Sequence, residues 1–255
     1  MKYTNVPAFK RQIEAAYQKE MPRVYLILAE SAFERARLLD YVLCYLPHPN
    51  AYSVFRYAGE EADAAKIISA LSSPSLFGGR PLLILDDAAA LAKDTVRRLS
   101  EFIKEPFGGY LVMGASAKGA LLPLLREVES CGMLLDLLAE KPWEKEKRLA
   151  DFLQAECAKA CKTLEKQASS RLLEFAGLDM SALFREINKL IAFVGERAVI
   201  TAEDVLAVCY RSHQNTIWQL AEELVWNRNL IIDERWRLLF FMGWWRLCAI
   251  SCSWA

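Results

Sequence analysis

The sequence predicts an α/β domain built on a doubly wound parallel sheet, followed by an all-α region. Two observations carry this. Up to about residue 140, short and nearly unbroken apolar runs alternate with segments of helical period. Strands buried on both faces read as such runs, and parallel neighbours need helical crossovers between them. After Pro142 the strand-like runs stop and only helical periods continue.

Taken in order, "RVYLILAE" is the first strand. It leads into "SAFERARLLDYVLCYL", where Phe33, Leu38, Val42 and Tyr45 recur at helical spacing. Ser31 and Glu34 have the spacing of a capping box at the start of that helix. "AYSVFRYA" is rich in strand formers, "EEADAAKIISALSS" is helical, and "RPLLILDD" is an apolar strand bounded by Pro81 and Asp86. A helix over Asp94 to Ile103 follows, then the strand "GYLVMGAS", a short helix around "ALLPLLREV" and a last strand, "GMLLDLL". Beyond Pro142, helices are predicted in "PWEKEKRLADFLQAECAKACKTL", "EKQASSRLLEFAGL" and "DMSALFREINKLIAFVG", with Gly177 and Gly195 at helix stops. Thr201 is placed to cap "AEDVLAVC", which has acidic residues in its first turn. Leu172, Phe175, Leu183, Ile187, Leu190 and Val194 are expected to form one buried face, with Glu186 and Lys189 at the surface or a domain edge.

The expected division is an α/β domain over 1–140, a helical domain over 141–210 and a partial helical segment over 211–255. The last of these carries six of the seven tryptophans and ends in "FFMGWWRLCAISCSWA", apolar on all sides. A premature stop or shifted frame accounts for such a tail; the alternative is a lineage-specific apolar element that needs a partner.

Composition narrows the classes. At 54% hydrophobic and 25% charged residues the chain is globular, and its zero net charge supplies no global attraction to nucleic acid or acidic membranes. The charged N-terminus has no secretory core, no apolar run spans a bilayer, and seven scattered cysteines suit reduced thiols, so the expected location is cytoplasmic.

The search for chemistry ends without a catalytic, cofactor or metal site. A phosphate-binding loop needs glycines and a lysine after the first strand. Here the turn reads "AESAFER", and Glu30 carries the wrong sign of charge; "GASAKGALL" has the wrong spacing and follows a later strand. Asp86 and Asp87 end a strand where magnesium could be held, but without a phosphate loop they read as caps of the helix that follows. Cys157 and Cys161 sit one helical turn apart with no second ligand pair, which favours core packing over a metal site. His48 and His213 lack nucleophilic neighbours. Lys141, Lys145, Lys147 and Arg148 interleave with Glu140, Glu144 and Glu146, which suits a solvated helix face better than a phosphate track.

In "SSPSLFGGRPLLILDD" two large apolar residues stand before a glycine pair. Read from the residues alone, Leu76 and Phe77 either project from a helix end, released by Gly78 and Gly79, or fold inward as a hydrophobic staple.

The order "VYLILAESAF", "SLFGGRPLLILDD" and a Trp-led helical region with "DMSALFREINKLIAFVG" and "ERAVITAEDV" resembles the delta subunit of the bacterial DNA polymerase III clamp loader. The most specific part is Asp179, Leu183, Glu186, Lys189 and Leu190, then a glycine, Ile200 and Thr201. The resemblance implies a AAA+-like domain with a degenerate nucleotide loop, a three-helix lid and an incomplete helical collar. It implies no active site in the chain itself, within a larger DNA-directed DNA polymerase holoenzyme. It also implies that Leu76 and Phe77, supported by Ser75, Gly78 and Gly79, insert into a pocket on the sliding clamp. The implied partners are that clamp, the gamma/tau and delta-prime subunits, and primed DNA through the assembled complex, with no membrane. Two alternatives remain: a AAA+-type enzyme with an unorthodox nucleotide site, and a delta-prime-like subunit. The latter usually carries zinc-binding cysteines in the first domain, a set that Cys44 and Cys131 cannot complete.

Overall fold

Five short apolar segments line up side by side as parallel strands, joined by helices that cross above and below them. The computed structural model describes residues 1–46, 52–72 and 80–209, all within one compact unit spanning Met1–Arg211. The strands are β2 (Val24–Leu28), β3 (Tyr52–Tyr57), β4 (Arg80–Leu85), β5 (Tyr110–Ala115) and β6 (Met133–Asp136), with a short edge strand β1 (Lys2–Tyr3). Their order is β1-β6-β2-β5-β4-β3, and every pairing is parallel. All five strands read from the sequence form.

Alternate residues of each strand feed two separate cores, as strand periodicity requires. Leu26, Leu28, Leu83, Leu85, Leu111 and Met113 face α3 (Ala64–Ser72), α4 (Lys93–Phe102) and α5 (Leu122–Cys131). Tyr25, Ile27, Leu82, Ile84, Tyr110 and Val112 face α1 (Val6–Tyr17) and α2 (Ala32–Tyr45). The sheet is therefore covered on both sides, which is the doubly wound arrangement.

The helical part comprises α6 (Pro142–Lys159), α7 (Lys166–Ala176), α8 (Met180–Phe193) and α9 (Ala202–Val208). Leu172, Leu183, Ile187, Leu190 and Val194 are buried in one cluster, with Phe175 packed against it. Lys189 is exposed and pairs with the half-buried Glu186 at 2.7 Å. Asp179 caps α8 by accepting from the Ser181 N–H, and Thr201 caps α9 in a reciprocal box with Asp204. Gly177 follows α7 at φ 70° and Gly195 follows α8 at φ 55°, where a side chain would be strained.

Four details depart from the expectations. The N-terminal segment holds β1 and α1, the latter capped by Asn5 with Pro7 in its first turn. Its amphipathic stripe (Phe9, Ile13, Ala16) lies among so many charges that it reads as polar. The helical part is not strand-free, because Thr163–Leu164 (β7) pairs with Val199–Ile200 (β8) and ties two helix connections together. Two residues are too few to give a periodic signal. Cys161 lies beyond the end of α6 at φ 55° and is exposed, so it does not share a helix face with the buried Cys157. Ser31 caps α2 by accepting from the Glu34 N–H, but the Glu34 side chain turns to Arg148 instead of closing the box.

Candidate functional site

Ligands of open parallel sheets sit at the carboxyl ends of the strands, where the strand order reverses. Here that place is the turn from β2 into α2, beside the end of β5, with the end of β4 one strand further on. The Arg35 side chain, buried from the second turn of α2, reaches back over this turn. Its Nη1 donates to the carbonyls of Ala29 and Glu30 at 2.8 and 2.9 Å, and its Nη2 pairs with Asp87 at 3.1 Å. Gly114 of β5 leaves room for it, since a Cβ there would lie 3.2 Å from the Arg35 Cδ and 2.7 Å from the Asp86 carbonyl.

The polarity of this turn is the reverse of a phosphate cradle. A cradle converges backbone N–H groups on an anion, whereas these carbonyls converge on a guanidinium. Glu30 is exposed and lies 3.9 Å from Lys145.

Both aspartates at the end of β4 are engaged. Asp87 accepts from the N–H groups of Ala89 and Ser116, each at 3.0 Å, besides pairing with Arg35. It thus caps the short 3-10 turn Ala88–Ala90, in line with the capping expectation. Asp86 caps nothing. It takes a two-pronged bond from Arg56 of β3, with Nε at 2.9 Å from one carboxylate oxygen and 3.0 Å from the other. Lys118, of the "GASAKGALL" segment, pairs with the buried Asp136 at 2.7 Å.

A second constellation joins the sheet to the helical part. Arg148 of α6, expected on a solvated face, is largely buried; it donates to Glu140 at 2.8 and 2.7 Å and also to Glu34 of α2. Burial pushes the Glu34 carboxyl above its ordinary range, against the pull of Arg148. One turn along α2, Arg37 pairs with Glu156 at 2.6 Å and lies over the rings of Phe33, Phe152 and Phe184. Lys141 lies over the exposed Trp143 ring instead of joining a cationic track.

The residues predicted to contact a clamp, Ser75, Leu76, Phe77, Gly78 and Gly79, lie outside the described residues, as do His48, His213 and the segment 211–255. Their flanks are described: Ser72 ends α3, and Arg80 begins β4 at the amino-terminal edge of the sheet. Sequence reasoning missed Arg35 and Arg37 and placed Arg148 on a solvated face. Arg35 had one available signal, a basic residue one turn past a glycine-free turn; the others act on partners far away in the chain. Among the described residues, no His, Cys, Asp and Glu side chains gather as a metal site requires, and no helix is long and apolar enough to cross a membrane.

The parallel sheet with helices on both faces, followed by a helical part, is a AAA+-like fold, here with its own arginine across the turn after β2. Solved structures share that fold. The DNA clamp loader delta protein of Bacillus subtilis superposes with a TM-score of 0.56 at 19% identity, over 94% of this chain and 71% of that one. The RuvB Holliday junction branch migration motor of Thermotoga maritima superposes with a TM-score of 0.56 at 16% identity, over 80% of this chain and 68% of that one. In sequence, the chain is 34% identical over 64 residues to the DNA polymerase III subunit delta of Bacillus subtilis, a stretch that is 25% of this chain and 18% of that protein. No family model matches. The chain thus resembles the clamp-loader delta subunit in both sequence and fold.

Proposed function

We propose that this chain is a clamp-loader subunit of the delta type, which binds and opens a ring-shaped sliding clamp for loading onto primed DNA. The observation that carries the proposal is the coincidence of a delta sequence match over a quarter of the chain with the delta fold over nearly all of it. The Arg35-filled turn supports a subunit that works by contact and not by its own nucleotide hydrolysis.

On this reading residues 1–140 are the AAA+-like domain, 141–210 the lid and 211–255 the start of a collar that meets the gamma/tau and delta-prime subunits. Leu76 and Phe77 enter a pocket on the clamp, with Ser75, Gly78 and Gly79 supporting their projection. Burying two such side chains contributes about 1.5–3 kcal/mol each.

Titration of the full chain against purified Bacillus subtilis sliding clamp tests the proposal. Saturable binding in the micromolar range or tighter is expected; absence of binding at clamp concentrations well above that range contradicts it. The competing enzyme reading predicts tight binding of a labelled ATP analogue with magnesium and no affinity for the clamp.

A further inference from the structure

One connection, residues 137–141, joins the last strand of the sheet to α6. A single connection permits rotation, so the orientation of the helical part depends on the side chains that meet across the seam.

Among the described residues, three charge pairs cross that seam in the same order along both elements. Glu30 meets Lys145 at 3.9 Å, Glu34 meets Arg148, and Arg37 meets Glu156 at 2.6 Å. Glu34 and Arg37 share a face of α2, and residues 145, 148, 152 and 156 advance along one face of α6. Phe33 of α2 joins the same seam, with its ring centroid 5.2 Å from that of Phe184 of α8. Arg148 is also held by Glu140, which lies within the connection itself.

The signs of the pairs reverse along the seam. On the α2 side the order is negative, negative, positive; on α6 it is positive, positive, negative. A slide of one turn in either direction brings Arg37 towards a cation, Arg148 or Lys159, and takes it from Glu156. The order of charges therefore selects one register. The side chains of Glu34, Arg148 and Glu156 are nearly buried, so salt screens the inner pairs little.

A ligand at the carboxyl ends of an open parallel sheet can bridge the sheet to whatever covers it. Here Arg35 spans the turn after β2, and the contacts across the seam come wholly from the chain's own residues. We infer that the α2–α6 seam is a latch that holds the helical part in one orientation on the sheet with no nucleotide bound. The inference goes beyond the delta reading and does not need clamp binding.

Distances between spin labels on Cys131 of α5 and Cys161 beyond α6, both exposed, test it in the full chain. Cys44→Ser, Cys248→Ser and Cys252→Ser remove the other labelling sites outside the buried Cys157 and Cys209. The unaltered seam should give one narrow distance that ATP with magnesium does not shift. Arg37→Glu sets two carboxylates together and should broaden that distance or add a second. Glu34→Gln should act in the same direction, whereas Arg37→Lys, which keeps the sign, should keep the narrow distance. A broad distance in the unaltered seam, or one that moves with ATP and magnesium, overturns the latch, a readout that stands even if a variant fails to fold. So does a narrow, unmoved distance in both Arg37→Glu and Glu34→Gln, or equal broadening by Arg37→Lys and Arg37→Glu. No clamp is present in these measurements. Their failure leaves the delta reading standing, and a chain that does not bind clamp leaves the latch standing.

Discussion

Glu34 and Arg148 are 114 residues apart in the chain and meet as an ion pair whose side chains are only 7% and 12% exposed. Arg148 is shared with Glu140, 6% exposed, so one cation neutralises two nearly buried carboxylates at the seam between sheet and lid. Removing one member of a buried network leaves charge uncompensated, which costs about 3–5 kcal/mol. Arg148→Met should lower unfolding stability by about that amount, while adding Glu34→Gln and Glu140→Gln should restore most of it. Urea denaturation of the single and triple variants checks this.

Arg37 provides a second tie at the same seam. Its guanidinium lies 5.0–5.7 Å from the centroids of Phe33, Phe152 and Phe184 and pairs with Glu156. Partly desolvated cation–π contacts contribute about 0.5–2 kcal/mol. Arg37→Ala should destabilise the chain by about 1–3 kcal/mol in all. Hydrogen exchange should localise the loosening to α6 and α8, with the central strands unchanged.

The acid limb of the stability curve should carry the signature of Asp204. Its bond from Arg197, and then the Thr201 N–H, hold its carboxyl below the ordinary value of 3.8. A carboxyl lowered by folding stabilises the folded state above pH 3.8, and this stabilisation is lost as pH falls through the lowered value. Asp204→Asn should cost about 1 kcal/mol at neutral pH and flatten the loss that sets in as pH falls below 3.8. Denaturant midpoints across that range measure it.

Thiol chemistry should separate the cysteines. Burial pushes the Cys157 thiol up to about 11 and the Cys209 thiol up to about 12, while Cys44, Cys131 and Cys161 are exposed. Since the thiolate is the reactive form, the first two should react with a disulfide reagent only on unfolding. Mass mapping of labelled sites tests this; rapid labelling of Cys157 in the native chain would contradict the packing of the lid.

The parts legible in the sequence were those with local physics. Four strands stood out because both their faces are buried, the edge strand β3 stood out by its strand formers, and the caps at Ser31, Asp179 and Thr201 occupy the expected helix starts. The turn after β2 could be read as unfit for phosphate from its missing glycines, but not that Arg35 would span it. That bond depends on Asp87, 52 residues away. Arg148 was misread for the same reason, because its neighbours in sequence are charged while its partner Glu34 sits on another helix. β7 and β8 were invisible because two residues carry no period.

The central claim rests on Leu76 and Phe77, and one paired measurement on Leu76→Ala with Phe77→Ala tests it most directly: melting temperature together with affinity for purified sliding clamp. If the two side chains are the clamp contact, affinity should fall at least about a hundredfold, since such anchors contribute about 2–4 kcal/mol each. The melting temperature should hold, because exposed residues add little to the core. A loss of stability of several kcal/mol, with clamp binding falling only as far as the protein unfolds, would mark them as a core staple and contradict the account.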